Sequence, residues 1–394
     1  MLKIITPLVG TPAYRAGLMA GDVILEIEGK PAAGVSIDEA VRRLKGPVGT
    51  KVSVTVQHLG SGGKQSVTLT REIVHVETVL GDRRGKSDQW DFMYDREKRI
   101  GYIRVTSFGR DTARDLRRAL EQLQKEKMRA LVLDLRFNPG GLLTSAIEIC
   151  DLFIDKGRIV STKGRNVKER IWDAKAEGTF GDFPMAILVN HYSASASEIV
   201  SACLQDHRRA VVVGERSWGK GSVQNVIDLE DGKSVLKLTT ASYWRPNGKN
   251  IHRFPDAKEG DDWGVRPDKD FEVALATEEM RQLVEDRRQR DIVVPHPADK
   301  QPDGTEAAGG PKAPAETPKE EKSKDEKPAA TSSTPASGAE SKPSEAKQEQ
   351  PKDAKENKPA AATLPDGSKP AAPHVDRQLQ RAIEYLNVEM ARAS

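Results

Sequence analysis

The chain has 394 residues, enough for two or three domains with cores of their own. Hydrophobic residues make up 37 % and charged residues 31 %, so part of the chain is expected to stay unfolded. The 62 basic and 59 acidic residues are interspersed and leave a net charge of +3, which excludes the basic footprint of a nucleic-acid binder. Two cysteines, Cys150 and Cys203, are too few for a disulfide framework and read as buried thiols in apolar helices. No apolar run reaches the roughly 18 residues that a membrane helix needs.

Residues 2–9 open directly on a strand-like run with no signal-peptide pattern. Residues 10–31 hold Gly-rich turns around a short helix and a strand. Ser36 and Glu39 have capping-box spacing. Ile37, Ala40, Val41 and Leu44 then repeat at i, i+3, i+4, i+7, a helical stripe that the run Gly46-Pro47-Val48-Gly49 ends. Val52, Val54 and Val56 alternate as a strand, with Val67 and Leu69 in a hairpin partner. The sequence Pro-Ala-Tyr-Arg-Ala-Gly-Leu-Met-Ala-Gly-Asp-Val-Ile, from Pro12, resembles that of a PDZ domain, a module that binds peptide C-termini by adding a strand to a sheet edge. Its carboxylate-binding loop and first strand would precede Met1, so no carboxylate-binding residues are carried over and the domain is expected to be partial.

A strand is expected at 73–79, a polar turn at 82–87 and a strand at 100–105, with Phe108 in the turn after it. Asp111 or Thr112 can cap a helix whose core stripe is Leu116, Ala119, Leu120 and Leu123. Residues 130–135, apolar except for Asp134, read as a strand buried on both faces. It delivers Leu-Arg-Phe-Asn-Pro-Gly-Gly, 135–141. Pro139 stops backbone pairing there and the two glycines permit unusual dihedrals, so the loop can point an N–H outward ahead of a helix at 142–153. Strand pieces follow at 159–162 and 170–172, and 174–181 is expected to be an exposed loop near the cleft.

Residues 185–224 carry the chemistry. A strand (185–189) leads to alternating small residues, Ser193-Ala194-Ser195-Ala196-Ser197, then a helix (198–204) and a second strand (210–213). The turn Gly219-Lys220-Gly221 follows. A serine hydroxyl needs a base. A lysine serves only when neutral, which requires desolvation among apolar groups. The helix start beside the serine offers unpaired N–H groups that suit an oxyanion.

Ser-Ala-Ser-Ala-Ser-Glu-Ile and Gly-Glu-Arg-Ser-Trp-Gly-Lys-Gly-Ser-Val-Gln resemble the active-site region of the C-terminal processing serine peptidases, the tail-specific proteases. The resemblance extends over most of 1–270 and returns at the C-terminus. It implies an α/β fold, with a crotonase/Clp-protease-like core of ββα units behind a partial N-terminal PDZ domain. It also implies Ser195 as nucleophile, Lys220 as base, Gln224 to orient the lysine, and the N–H groups of Gly141 and Ala196 as oxyanion donors. No cofactor or metal is implied. The partners are polypeptide substrates bound by their C-terminal segments, with no nucleic acid and possible homo-oligomers. The family's location is extracytoplasmic, in the periplasm or cell envelope. Its members begin well before the present Met1, so the chain reads as shortened or as having a misplaced start, with a cytosolic variant as the rival; membrane association would come only through a missing N-terminal segment.

Beyond the strand at 234–240, residues 241–251 and 263–268 resemble the family's closing hairpin and Pro-Asp segment. Tyr243 and Trp244 fit core packing better than a cleft wall. Residues 272–288 read as a surface helix. Between Val294 and Val375 the only large apolar residue is Leu364, so a disordered linker is expected. Asp376 can then cap a helix with Leu379, Ala382, Ile383 and Leu386 on one face, folding back onto the core. The expected division is a partial PDZ domain at 1–75, a peptidase core at 76–290, a linker rich in Pro, Ala, Lys and Glu at 291–373, and a C-terminal helix at 374–394. Three rival readings use other chemistry: a Ser-His-Asp triad through His191 or His252, a non-catalytic PDZ scaffold on an inactive core, and an acyl-CoA enzyme. The intact set of Ser195, Lys220 and Gln224 argues against the scaffold, and the PDZ-like segment against the acyl-CoA enzyme.

Overall fold

The computed structural model describes residues 1–59, 63–85, 88–230, 234–293 and 375–392. The expected linker lies, from residue 294 on, outside them.

The N-terminal part is a five-stranded antiparallel sheet. Its elements are β1 (Leu2–Lys3), α1 (Pro12–Arg15), β2 (Val23–Ile27), β3 (Lys30–Pro31), α2 (Ile37–Leu44), β4 (Lys51–Gln57) and β5 (Lys64–Thr70). The sheet order is β1-β2-β4-β5, with β3 on β2. Val52, Val54 and Val56 all point inward, as their alternation predicts, onto Leu18, Ile27 and Ala40. The α2 stripe is corrected: only Ala40 is buried, and Ile37 is 74 % exposed. Ser36 Oγ accepts from the Glu39 N–H at 3.2 Å, but the Glu39 carboxylate turns to Arg42 and Arg43 instead of closing the capping box. Val41 and Leu44 line a mostly apolar groove of about 450 Å³ against Ile4, Pro7 and Leu8.

Residues 71–78 form no strand, contrary to expectation. Ile73 is 87 % exposed and finds no sheet neighbour. Short strands follow: β6 (Val79–Leu80), β7 (Arg83–Arg84), β8 (Trp90–Asp91) and β9 (Met93–Asp95). The main core then runs β10 (Ile100–Val105), α3 (Thr112–Lys125), β11 (Ala130–Asp134), α4 (Leu143–Asp151), β12 (Arg158–Gly164), β13 (Val167–Asp173), β14 (Met185–Val189), α5 (Ala196–Asp206), β15 (Val211–Gly214), β16 (Ser222–Leu229), β17 (Ser234–Trp244) and α6 (Thr277–Asp291). The last described helix is α7 (Arg377–Arg392).

Strands β10, β11, β14 and β15 are parallel neighbours in one sheet, and every residue in them is buried. Both faces are covered, which is why they read as continuous apolar runs. Alternate residues divide between two layers. Ile103, Leu131, Leu133 and Ile187 pack under α3, α4 and α5. Tyr102, Val132, Leu188 and Val213 pack against Leu379, Ala382, Leu386 and Met390 of α7. The helix at the far end of the chain therefore supplies a cover for one face of the central sheet. Cys150 and Cys203 are free thiols, both buried in the first layer. Of the loop expected to be exposed at 174–181, residues 175–178 and 181 are exposed, while Phe180 is buried beside α3 with the Arg117 guanidinium over its ring.

Charge joins the second layer to the sheet. The Arg136 guanidinium donates to Asp134 Oδ2 (2.7 Å), to both oxygens of Asp376 (2.9 and 2.7 Å) and to Gln378 Oε1 (2.9 Å). Asp134 also accepts from Tyr102 and Arg287. Helix α6 is thus more than the surface helix expected, since Leu283 and Arg287 are buried. Burial pushes the Asp134 and Asp376 carboxyls up, but the Arg136 guanidinium beside both, with Arg287 beside Asp134, outweighs it and holds them below the usual carboxylate range. Lowered carboxyls stabilise fully above their unfolded values near pH 4, and that contribution is lost as pH falls through the lowered ones. The melting temperature should be flat from pH 7 to about 5 and fall below about 4, with a shallower acid slope in Asp376→Asn. An identical slope in the variant would remove Asp376 from this account.

Candidate active site

Three loops leave the carboxyl ends of the parallel strands: 135–142 after β11, 190–195 after β14 and 215–221 after β15. Open parallel sheets carry their sites at such ends, where successive loops converge.

Ser195 is the N-cap of α5, with φ 56° and ψ −113°. A positive φ is rare for a side-chain-bearing residue and costs about 1–3 kcal/mol. The surroundings hold it there. The Ala194 N–H donates to Asn138 O (3.0 Å), and Ser195 O accepts from Glu198 N and Ile199 N. The Ser195 hydroxyl makes no cap hydrogen bond and is partly exposed. Its neighbours differ. Ser193 and Ser197 are fully buried, and their hydroxyls donate to Leu135 O (2.8 Å) and Asn138 O (2.9 Å).

The loop after β11 lies against this helix start. A Cβ at Gly140 would sit 2.8 Å from Ser195 Cβ and 2.9 Å from Ala196 N, so only glycine allows the approach. Asn138 braces the loop from inside. It donates to Val105 O and accepts from the Gly140 N–H. The N–H groups of Gly141 and Ala196 donate to no acceptor among the described residues.

Sequence reasoning missed the residue that joins the loops. Glu198 is fully buried in the first turn of α5. Its Oε2 accepts from Ser195 N (2.7 Å) and Lys220 N (2.8 Å), and its Oε1 from Ser217 Oγ (2.6 Å) and Gly219 N (2.6 Å). One oxygen therefore holds the backbones of Ser195 and Lys220 within two hydrogen-bond lengths of each other. Burial pushes the Glu198 carboxyl up, and the four hydrogen bonds, from Ser217 first, oppose it. Three of the donors are backbone N–H groups that cannot accept, so the geometry fits the carboxylate. The available signal was a glutamate three residues after an N-cap serine, the capping-box spacing.

Lys220 departs from expectation. Its side chain is exposed rather than desolvated, and its Nζ makes no hydrogen bond or ion pair among the described residues. Gln224 lies on β16 opposite Thr239, is also exposed, and does not reach the lysine by a hydrogen bond. The glycines flanking Lys220 do serve close approach: a Cβ at Gly221 would lie 2.3 Å from His252 N. Of the histidines weighed for a triad, His191 pairs with Glu215 at 2.8 Å, and His252 Nδ1 is buried without a partner. Neither is hydrogen-bonded to Ser195, and His252 lacks the carboxylate that orients a triad base. Among the described residues no three His, Cys, Asp or Glu side chains converge as metal ligands.

The loops thus bring together a serine on a strained helix start, two amides without acceptors among the described residues, and the backbone of a lysine loop. The family model described as peptidase family S41 matches residues 99–270, and a PDZ-domain model matches 4–58. The carboxy-terminal-processing protease of Bartonella bacilliformis is 37 % identical over 307 residues, 74 % of this chain and 65 % of that protein. The carboxyl-terminal-processing protease of Synechocystis is 37 % identical over 278 residues, 70 % and 60 %. The carboxy-terminal processing protease CtpA of Bacillus subtilis is 35 % identical over 253 residues, 64 % and 51 %. Among solved structures, the photosystem II D1 C-terminal processing protease is 30 % identical, with 73 % of this chain and 71 % of that one covered and a TM-score of 0.42. The chain belongs to peptidase family S41, and it spans between half and two thirds of the length of these curated relatives.

Proposed function

We propose that the protein is a serine endopeptidase that cleaves polypeptides near their C-terminal ends through a Ser195–Lys220 dyad. The observation that carries this reading is the single Glu198 oxygen that accepts from the backbones of both Ser195 and Lys220. Ser195 Oγ attacks the scissile carbonyl carbon while the neutral Lys220 amine takes its proton. The carbonyl oxygen becomes an oxyanion that accepts from the Gly141 and Ala196 N–H groups. Collapse breaks the C–N bond, and the lysine ammonium returns the proton to the leaving amine. Water then repeats the sequence on the acyl-enzyme. Lys220 is exposed, and in this reading its contact with Ser195 Oγ forms as substrate displaces water from the cleft, with Gln224 orienting the amine.

In this division residues 76–290, with the C-terminal helix of 374–394, carry the chemistry, and 1–75 present the groove between the segment 4–13 and α2 to the substrate's C-terminal segment. The apolar lining by Ile4, Leu8, Val41 and Leu44 favours apolar terminal residues. An extracytoplasmic location fits the family. No described helix is long and apolar enough to cross a membrane.

The test is cleavage of an unfolded protein substrate with a free or an amidated C-terminus. Arginine keeps the charge but cannot deprotonate, so Lys220→Arg should be as inactive as Lys220→Ala. Wild-type kcat/KM should rise with pH as one group deprotonates, and the free C-terminus should be cut faster. Near-normal turnover by Lys220→Arg would rule out the dyad. Equal rates on both substrates would rule out C-terminal recognition alone.

A further inference from the structure

The loop that carries the Gly141 amide begins at Arg136, and Arg136 is gripped from the far end of the chain. The side chain is fully buried and all of its N–H groups are engaged. Nε and one Nη2 hydrogen go to Asp134 in the strand just before the loop. Both Nη1 hydrogens and the second Nη2 hydrogen go to Asp376 and Gln378, at the start of α7. These two residues are themselves fixed. Asp376 Oδ1 caps α7 by accepting from Leu379 N at 3.1 Å, and Gln378 Nε2 donates to Val273 O at 2.8 Å.

Beyond Arg136 the loop has little room to adjust. Phe137 has φ 64°, and its N–H donates to Asn190 Oδ1 at 3.0 Å. Asn138 O accepts from Ala194 N and from Ser197 Oγ, on either side of Ser195. Gly140 abuts Ser195 Cβ, and the next amide is that of Gly141. A displacement of Arg136 is therefore passed along five residues of constrained backbone to the oxyanion position. On the other side of Arg136 lies Asp134, which cannot move because Tyr102 and Arg287 also hold it.

We propose that α7 is a positioning element of the active site, acting through Asp376 and Gln378 on Arg136 to set the Gly141 amide against the substrate carbonyl. Its contacts to the sheet face keep the fold covered, while its first turn tunes the chemistry. The proposal rests on the reading of Ser195 and Gly141 given above. Asp376 and Gln378 touch no substrate; they act on the transition state and leave ground-state peptide binding alone.

Three variants test it in the full-length protein: Asp376→Asn, Gln378→Met and the conservative Asp376→Glu. The readouts are kcat and KM on one peptide substrate, and Ki for a peptide aldehyde, whose adduct with the serine carries the oxyanion. A small misplacement of a donor costs up to about 10²-fold. Asp376→Asn should lower kcat about 10–10²-fold with KM within about twofold, and should raise the aldehyde Ki by a similar factor. Gln378→Met should give a smaller loss of the same pattern, and Asp376→Glu should restore part of it. If Asp376→Asn fails to fold, the same kcat-to-Ki pattern in Gln378→Met decides the matter. A purely structural α7 predicts a lower melting temperature with unchanged kcat per titrated active site, and that result overturns the proposal. A wild type that shows neither turnover nor aldehyde binding would sink the underlying peptidase reading, which is a different outcome.

Discussion

Ser195→Ala should reduce cleavage of an unfolded protein to background, a loss of about 10⁴–10⁶-fold, while the melting temperature stays close to wild type. The hydroxyl makes no hydrogen bond that the fold needs, and alanine at a positive φ is no more strained than serine. The neighbouring serines should behave in the opposite way. Ser193 Oγ donates to Leu135 O and accepts from the Asn190 N–H, and Ser197 Oγ donates to Asn138 O. Removing the Ser193 hydroxyl leaves the buried Asn190 N–H without an acceptor, at about 1–3 kcal/mol, whereas removing the Ser197 hydroxyl costs one hydrogen bond, at about 1 kcal/mol, because Asn138 O keeps the Ala194 N–H. Ser193→Ala and Ser197→Ala should therefore melt earlier yet retain measurable turnover. Full activity in Ser195→Ala, assayed on purified protein with an unrelated inactive variant as background control, would remove it as the nucleophile.

Glu198→Gln should be nearly as damaging, although the residue never reaches substrate. Glutamine keeps the shape but offers one oxygen to four donors. With its carbonyl towards Ser195 and Lys220, its NH₂ group can meet the Ser217 hydroxyl, which can turn to accept, but the Gly219 N–H is left without a partner. That orphan costs about 1–3 kcal/mol. With the amide reversed, two backbone donors face an NH₂ group and the serine and lysine loops separate. Either way kcat should fall about 10²–10³-fold. Glu198→Ala, with all four donors unpaired, should also lose several degrees of melting temperature. A Glu198→Gln enzyme with wild-type kcat would show that the two loops hold their spacing without the carboxylate.

Much of this was legible in the residues. Val52, Val54 and Val56 face the N-terminal core because a strand repeats every two residues. Leu116, Ala119, Leu120 and Leu123 bury one face of α3 because a helix repeats every 3.6. The run from 130 to 134 is buried on both sides, as its lack of alternation requires. Where local pattern misled, a neighbour decided the outcome. The α2 stripe has the right period, but only Ala40 is buried, Leu44 packs partly against the core, and Ile37 and Val41 stay exposed. Residues 73–77 have strand composition but no strand beside them, and pairing begins only at Thr78, whose carbonyl accepts from Thr106 N, and Val79.

By itself the sequence determined the order of elements, the covered parallel strands and the small-residue run that places Ser195 at a helix start. Those follow from periodicity and from turn and cap chemistry, which act over a few residues. Only the tertiary structure decided what those elements meet. Glu198 bridges residues 195 and 220, Arg136 meets Asp376 across 240 positions, and α7 covers a sheet face whose strands lie far upstream. Such pairings carry no local signal. A carboxylate on a helix and an arginine after a strand look like ordinary surface charges until folding removes the water around them, and only then must each find its partner.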